Sequence, residues 1–241
     1  MSLISFFCFS SQENELRLCF TDFGAFVNVN NGDVEGIRKS QNFGLIPSGL
    51  ADVIVSTNFQ LTSFLFSDEF GGRAFAIFRH PVDRIVSTFY YLGKATWEPN
   101  YNQEFASMNI LDYARSETCP TNWLTRNILG NLDHVDVVLT ERDIQKAKKI
   151  IKRKIFILMF DDYISSIGQL FHYLGWHTSD PDVRNCIEND TNSKSNKGEY
   201  TKLEVGSEAW NLIAKRNLHD IELFHYAREL YTAQKKKYSA I

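Results

Sequence analysis

Apolar and polar positions alternate along this chain in two periods, and two segments show the change from one period to the other. Ala74 to Phe78 is a short apolar run of the kind a buried strand uses. Arg79 ends it, and Pro81 follows where a helix can begin without losing a hydrogen bond. From there Ile85, Thr88, Phe89 and Leu92 recur at helical spacing. The second segment, Lys154 to Phe160, is the clearest buried strand in the chain. Asp161 and Asp162 follow it, and Tyr163, Ile164, Ile167, Leu170, Phe171 and Leu174 then mark a helix. Both segments read as strand, tight turn, helix. That places Arg79 at the carboxyl end of a strand beside a helix start, where open α/β sheets bind ligands. Backbone N–H groups favour an anion at such a point, and a guanidinium adds a planar fork suited to phosphate.

Other elements follow from the same patterning. Ala51–Thr57 reads as a strand and Phe59–Phe66 as a helix, so together with Ala74–Phe78 they predict a βαβ unit of a parallel sheet. Leu16–Phe26 has room for a strand, 28–36 is a turn-rich loop, and Val34–Ser40 is a short helix. Gly44–Gly49 reads as another loop. Gly93, Pro99, Asn100, Asn102 and Pro120 break the periodicity of 93–120 around one helix at Ile110–Arg115. Trp123, Arg126 and Gly130 fall at helical intervals, and Val135–Leu139 is a short strand or the approach to a helix. Thr140 is the natural N-cap of a helix over Glu141–Lys154, with acids first and bases last to suit the dipole. Trp210, Ile213 and Ala214 mark a short helix, and Asn217 is the expected N-cap of a longer one running to Tyr231. His219 and His225 on it read as solvated or hydrogen-bonded groups.

Composition narrows the function classes. The 241 residues suffice for one domain with a sizeable core, and 44% of them are hydrophobic. A net charge of −3 exerts no bulk pull on nucleic acid, so no nucleic-acid partner is expected. The basic run Lys146–Lys154 invites a nucleic-acid or heparin reading, but its charges fill the outer face and last turn of a helix. Cys8, Cys19, Cys119 and Cys186 form no C-x-x-C pair, which argues against zinc, and one or two disulfides stay open. Neighbouring Asp161 and Asp162 can bind metal or shuttle protons, yet a helix follows at once and capping it is the expected role, so no metal site is expected. No run reaches the ~20 apolar residues a bilayer needs. Met1–Phe9 is apolar but lacks the basic start of a signal peptide, and reads as a strand or the remnant of a longer segment. Asn189-Asp190-Thr191 is a glycosylation acceptor triplet.

The spacing Arg79-x-Pro81-x-x-Arg84-x-x-Ser87-x-x-Tyr90-Tyr91 resembles the 3′-phosphate-binding segment of sulfotransferases, in particular the carbohydrate-directed Golgi-type branch and its algal and marine relatives. The resemblance implies that Arg79 and Ser87 hold the 3′-phosphate of the sulfuryl donor 3′-phosphoadenosine 5′-phosphosulfate (PAPS). It extends to Cys119–Gly130, where Trp123 and Arg126 lie near donor or acceptor. It also reaches Leu174-Gly175-Trp176 and the Asn217, Asp220, Leu223, Tyr226, Ala227 pattern of the last helix. In such proteins a Lys/Gly loop closes over the nucleotide, which carries over to Lys197, Gly198 and Tyr200.

The fold it implies is α/β, a P-loop-like three-layer arrangement with a central, mainly parallel sheet flanked by helices. One domain would span 1–241, with 1–25 unassigned and 190–206 a flexible loop. The function implied is transfer of a sulfuryl group from PAPS to a carbohydrate hydroxyl. The implied location is the secretory pathway, in the Golgi lumen, with any membrane anchor outside this sequence. One part is missing. The family's 5′-phosphosulfate loop, a Gly/Lys-rich turn between strand and helix, has no counterpart in residues 1–50, where Ser10–Asn14 lacks both Gly and Lys. That loop is expected upstream or lost, weak turnover is expected without it, and the general base maps to no residue. The alternative is a non-catalytic protein of the same fold that binds nucleotide or sulfated glycan. A nucleotide kinase would need Gly-x-x-x-x-Gly-Lys-Ser/Thr, which the chain does not contain.

Overall fold

The structure is a computed structural model, and it describes residues 15–21, 24–132, 134, 136–176, 181, 185 and 202–238. The chain divides into two compact units, residues 1–72 with 126–138, and residues 73–125 with 139–241.

In the first unit, β1 (Leu18–Thr21) and β2 (Gly24–Val27) form an antiparallel hairpin where one strand was expected. Asn28 prolongs it. The Asn28 side-chain oxygen accepts from Arg17 N at 2.9 Å, and its NH2 donates to the Glu15 carbonyl at 3.0 Å. Helix α1 (Val34–Asn42) is capped by Asp33, which accepts from Gly36 N at 2.7 Å. Gly36 is required here, because a Cβ would lie 1.8 Å from the Asn30 carbonyl oxygen. Two short helices follow, α2 (Leu45–Ser48), where a loop was expected, and α3 (Phe59–Ser63).

The strand expected over Ala51–Thr57 is absent, and so is the βαβ unit built on it. Val53 and Val55, which alternation would bury on one face, are both exposed. A strand needs a ladder partner as well as a pattern, and among the described residues none lies beside this one. The Asn127 amide instead fixes the end of the segment, donating to the Thr57 carbonyl and accepting from Phe59 N.

The second unit holds the features on which the sequence reading turned. Strand β3 (Ala74–Phe78) leads into α4 (Pro81–Leu92), with Pro81 in the first turn. Then come α5 (Glu104–Ser107), α6 (Ile110–Arg115) and α7 (Trp123–Leu129), the last of which crosses the unit boundary. No strand forms over 136–139, where Val137 and Val138 are exposed. Helix α8 (Glu141–Lys154) opens on Thr140 with a reciprocal capping box to Asp143. Strand β4 (Ile155–Met159) follows, then α9 (Tyr163–Leu174), α10 (Glu208–Arg216) and α11 (Leu218–Tyr238).

Strands β3 and β4 pair in parallel, Ala74 opposite Ile155 and Phe78 opposite Met159. The class is therefore mixed α/β with a parallel pair, and the described sheet has two strands. Its β4 side is closed by a side chain. The Gln234 oxygen accepts from Ile157 N at 3.0 Å, and its NH2 donates to the Ile157 carbonyl at 2.8 Å. One amide thus occupies the two ladder positions a third strand would use. On β3, Phe75 and Ile77 remain exposed.

The larger core joins Val82, Ile85, Val86 and Phe89 of α4 to Tyr113 and Ala114 of α6 and to Ala209 and Ile213 of α10. Phe89 stacks on Tyr113 with ring centroids 4.4 Å apart. Burial pushes the Tyr113 hydroxyl and the nearby Cys119 thiol above their ordinary pKa values. Cys119 is a buried free thiol, and Cys8 and Cys186 lie outside the described residues.

Helices α7 and α11 cap one another. Asn122, in the left-handed region at φ 48°, uses its side-chain oxygen to accept from His219 N and Asp220 N. Asp220 in turn accepts from Leu124 N, Thr125 N and the Thr125 hydroxyl at 2.8–2.9 Å. Asn217, the expected cap of α11, does other work. Its amide donates to the Pro120 and Ile213 carbonyls and accepts from Asn122 N.

Candidate functional site

The parallel register brings the ends of β3 and β4 out side by side, so Arg79 and His80 emerge next to Phe160, Asp161 and Asp162. This is the carboxyl edge of the sheet. The half-buried Arg79 guanidinium lies over the Phe160 ring, 4.6 Å from its centroid. A planar cation placed over an aromatic face loses little further rotamer freedom on binding an anion.

His80 is the N-cap residue of α4. Its ring stacks on Trp210 at 6.1 Å and meets the edge of Phe224 at 5.3 Å. Burial lowers its pKa below the usual histidine range; Asp83 opposes the shift, and His225 and Arg228 add to it. A neutral imidazole at physiological pH can accept a proton. His80, Asp83, Arg84 and Ser87 stand at positions i, i+3, i+4 and i+7 and so share one face of α4. Ser87 is half-buried, six residues beyond Pro81, or ~9 Å along the helix axis.

Asp161 pairs with Arg228, whose guanidinium also lies over Phe224. Asp162 occupies the N-cap position of α9, but its side chain makes no cap bond. It accepts instead from Tyr231 OH at 2.8 Å and Lys235 Nζ at 2.7 Å, and the Lys235 hydrogen bond, followed by that from Tyr231, holds its carboxyl below the usual range. The capping expected of these two carboxylates is thus replaced by ion pairs to α11. Each of these two pairs is neutral as a whole, and Arg79 and Asp83 are the other charges of this edge. Among the described residues, no cluster of three or more His, Cys, Asp or Glu forms a metal site.

One helix turn inward, Arg84 lies over Trp123, 4.7 Å from the ring centroid and 3.8 Å from the fully buried Asp220 carboxylate. Its Nη2 has no hydrogen-bond acceptor among the described residues. Trp123 therefore serves as a platform for Arg84. Arg126, in the other unit, is buried and donates to the His134 carbonyl at 2.6 Å and the Val137 carbonyl at 3.0 Å, holding the loop after α7. Lys197, Gly198 and Tyr200 lie outside the described residues.

Sequence reasoning did not single out His80, Phe160 or Arg228. His80 had a signal, its place between Arg79 and a helix-starting proline. Phe160 and Arg228 had none, since only the strand pairing and the α11 packing bring them to this edge. No family model matches the chain, and neither does any curated protein or solved structure.

Proposed function

We propose that the carboxyl edge of β3 and β4 binds the 3′-phosphate of a PAPS-type nucleotide, and that the protein is a sulfotransferase acting on a carbohydrate hydroxyl. We take the parallel pair as part of a P-loop-like three-layer arrangement. The observation that carries the reading is Arg79, held over the Phe160 ring at the end of a parallel strand and beside the start of a proline-led helix.

The residues fit a phosphate. Asp161 and Asp162 are already paired with cations, so neither presents an uncompensated negative charge to a ligand at this edge. In this reading Arg79 supplies a two-pronged contact and Ser87 a hydroxyl from further along α4. The donor supplies the chemistry. Its sulfur–oxygen bond breaks as a new one forms to the acceptor hydroxyl, whose proton passes to a base. His80, held below the usual histidine range by burial and standing about one turn before Arg84, is the base we assign at this edge.

A second reading is nucleotide binding without transfer. It is favoured by residues 1–50, which hold no Gly/Lys-rich turn of the kind that cradles a phosphosulfate.

Thermal shift with adenosine 3′,5′-bisphosphate tests both. Binding with Kd near 10 μM should stabilise the protein by ~2.7 kcal/mol at 1 mM ligand. Arg79→Ala should abolish the shift and Phe160→Leu should reduce it. No shift in the intact protein refutes both readings. A shift without transfer of labelled sulfate to a sugar acceptor leaves the second.

A further inference from the structure

At the opposite end of β4 a second feature stands out. Helices α8 and α11 end close together there, and both have basic last turns, Lys152, Arg153 and Lys154 on one and Lys235, Lys236 and Lys237 on the other. A depression of about 350 Å³ opens between them at the amino end of β4. Four cations line it, Lys152, Arg153, Lys154 and Lys237, and no carboxylate does. Among the described residues no ion pair joins any of the four to an acid. This contrasts with Lys148 and Lys235 on the same two helices, which pair with Glu222 and Asp162.

The remainder of the lining is rigid and aromatic. Tyr173 stacks on Phe156 at 4.3 Å, and Tyr238 meets both rings edge-on. Gln234, also in the lining, is fixed by its two bonds to Ile157. The cations therefore stand on a preformed base. Two helix C-termini carry about half a negative charge each, which four full positive charges exceed. In a chain of net charge −3, this concentration at one point is a local property and does not follow from composition.

We propose that this depression binds a compact polyanion, a single ring of sugar or inositol size bearing several phosphate or sulfate groups. The volume admits one such ring rather than a polymer, and flexible lysine ammoniums around a fixed base suit several anionic groups at once. The site lies a strand's length from Arg79 and is independent of the proposed nucleotide site. The chemistry is shared by free polyphosphates, sulfated sugars and phosphoinositide headgroups, and the experiment separates these sources.

Isothermal titration of the full chain with myo-inositol hexakisphosphate should show one-site binding that weakens at least tenfold between 50 and 300 mM salt. Lys152→Gln combined with Lys237→Gln should weaken it at least tenfold with the far-ultraviolet dichroism unchanged. Arg79→Ala and Lys146→Gln, the latter on α8 but outside the depression, should leave it within twofold. Sucrose octasulfate and vesicles containing phosphatidylinositol 4,5-bisphosphate form parallel arms, and binding in any arm that depends on Lys152 and Lys237 supports the site and names its source. The proposal is overturned if no arm binds, or if the double variant binds as well as the parent. It is equally overturned if Arg79→Ala, rather than the lysine pair, removes the binding.

Discussion

Replacing Asp220 by Ala is the most demanding test of how the second unit is held together. The carboxylate is completely buried and accepts from two backbone N–H groups and a hydroxyl at the start of α7, with Arg84 3.8 Å away. Its removal costs α7 a cap, which is ~1–2 kcal/mol. It also leaves a guanidinium with no counter-charge on its buried side. Breaking a fully buried pair costs ~3–5 kcal/mol, but the Arg84 side chain is 28% exposed, so the increment here is nearer ~1–2 kcal/mol. The sum is ~3 kcal/mol, a large share of the ~5–15 kcal/mol typical of a native protein. With a urea slope of ~2–3 kcal/mol/M, the unfolding midpoint should fall by ~1–1.5 M at unchanged slope. Asp220→Asn keeps one acceptor oxygen and should lose about half as much. Arg84→Met in the Asp220→Ala background should restore ~1 kcal/mol, because it removes the orphaned charge. A midpoint shift below ~0.3 M, or strictly additive Arg84 and Asp220 effects, would show that the contact geometry has been misread.

Three further outcomes follow from the packing. Gln234→Leu strips both partners from the Ile157 backbone and should cost ~2–4 kcal/mol, with faster hydrogen exchange at the Ile157 amide; unchanged exchange would remove Gln234 from the edge. Gly36→Ala should destabilise the first unit by several kcal/mol, since the new methyl would overlap the Asn30 carbonyl, and a variant melting like the parent would refute that approach. Because burial lowers the His80 pKa, the unfolded chain binds the proton more readily, so stability should fall as pH drops below about 6.5, the ordinary value. His80→Gln should flatten that loss between pH 7.5 and 5.5 in melting curves, and an identical slope would assign it elsewhere.

Much of this architecture could be read from local signals. Helix α8 begins and ends where the Thr140 cap and the acid-to-base gradient put it, and Pro81 marks the start of α4. Strands β3 and β4 are short enough for their apolar runs to define them. The failures share a cause. Ala51–Thr57 has strand-like alternation but no ladder partner among the described residues, and pairing cannot be seen in one segment. Asp162 and Asn217 stand where caps belong, yet their side chains serve partners 69 and 97 residues away. At the candidate edge, the strand–turn–helix context of Arg79 was legible, whereas its Phe160 platform depended on the register between two distant strands.

The two borders of the β3–β4 sheet differ in what they admit. Beyond β4 an amide already takes up both peptide groups of Ile157, so a further chain pairing there would have to displace Gln234. Any lengthening of the sheet must therefore happen at Ala74–Phe78, where two greasy side chains, Phe75 and Ile77, stand uncovered. A lysine at position 77 would place a charge on that border and oppose its pairing with a neighbouring molecule.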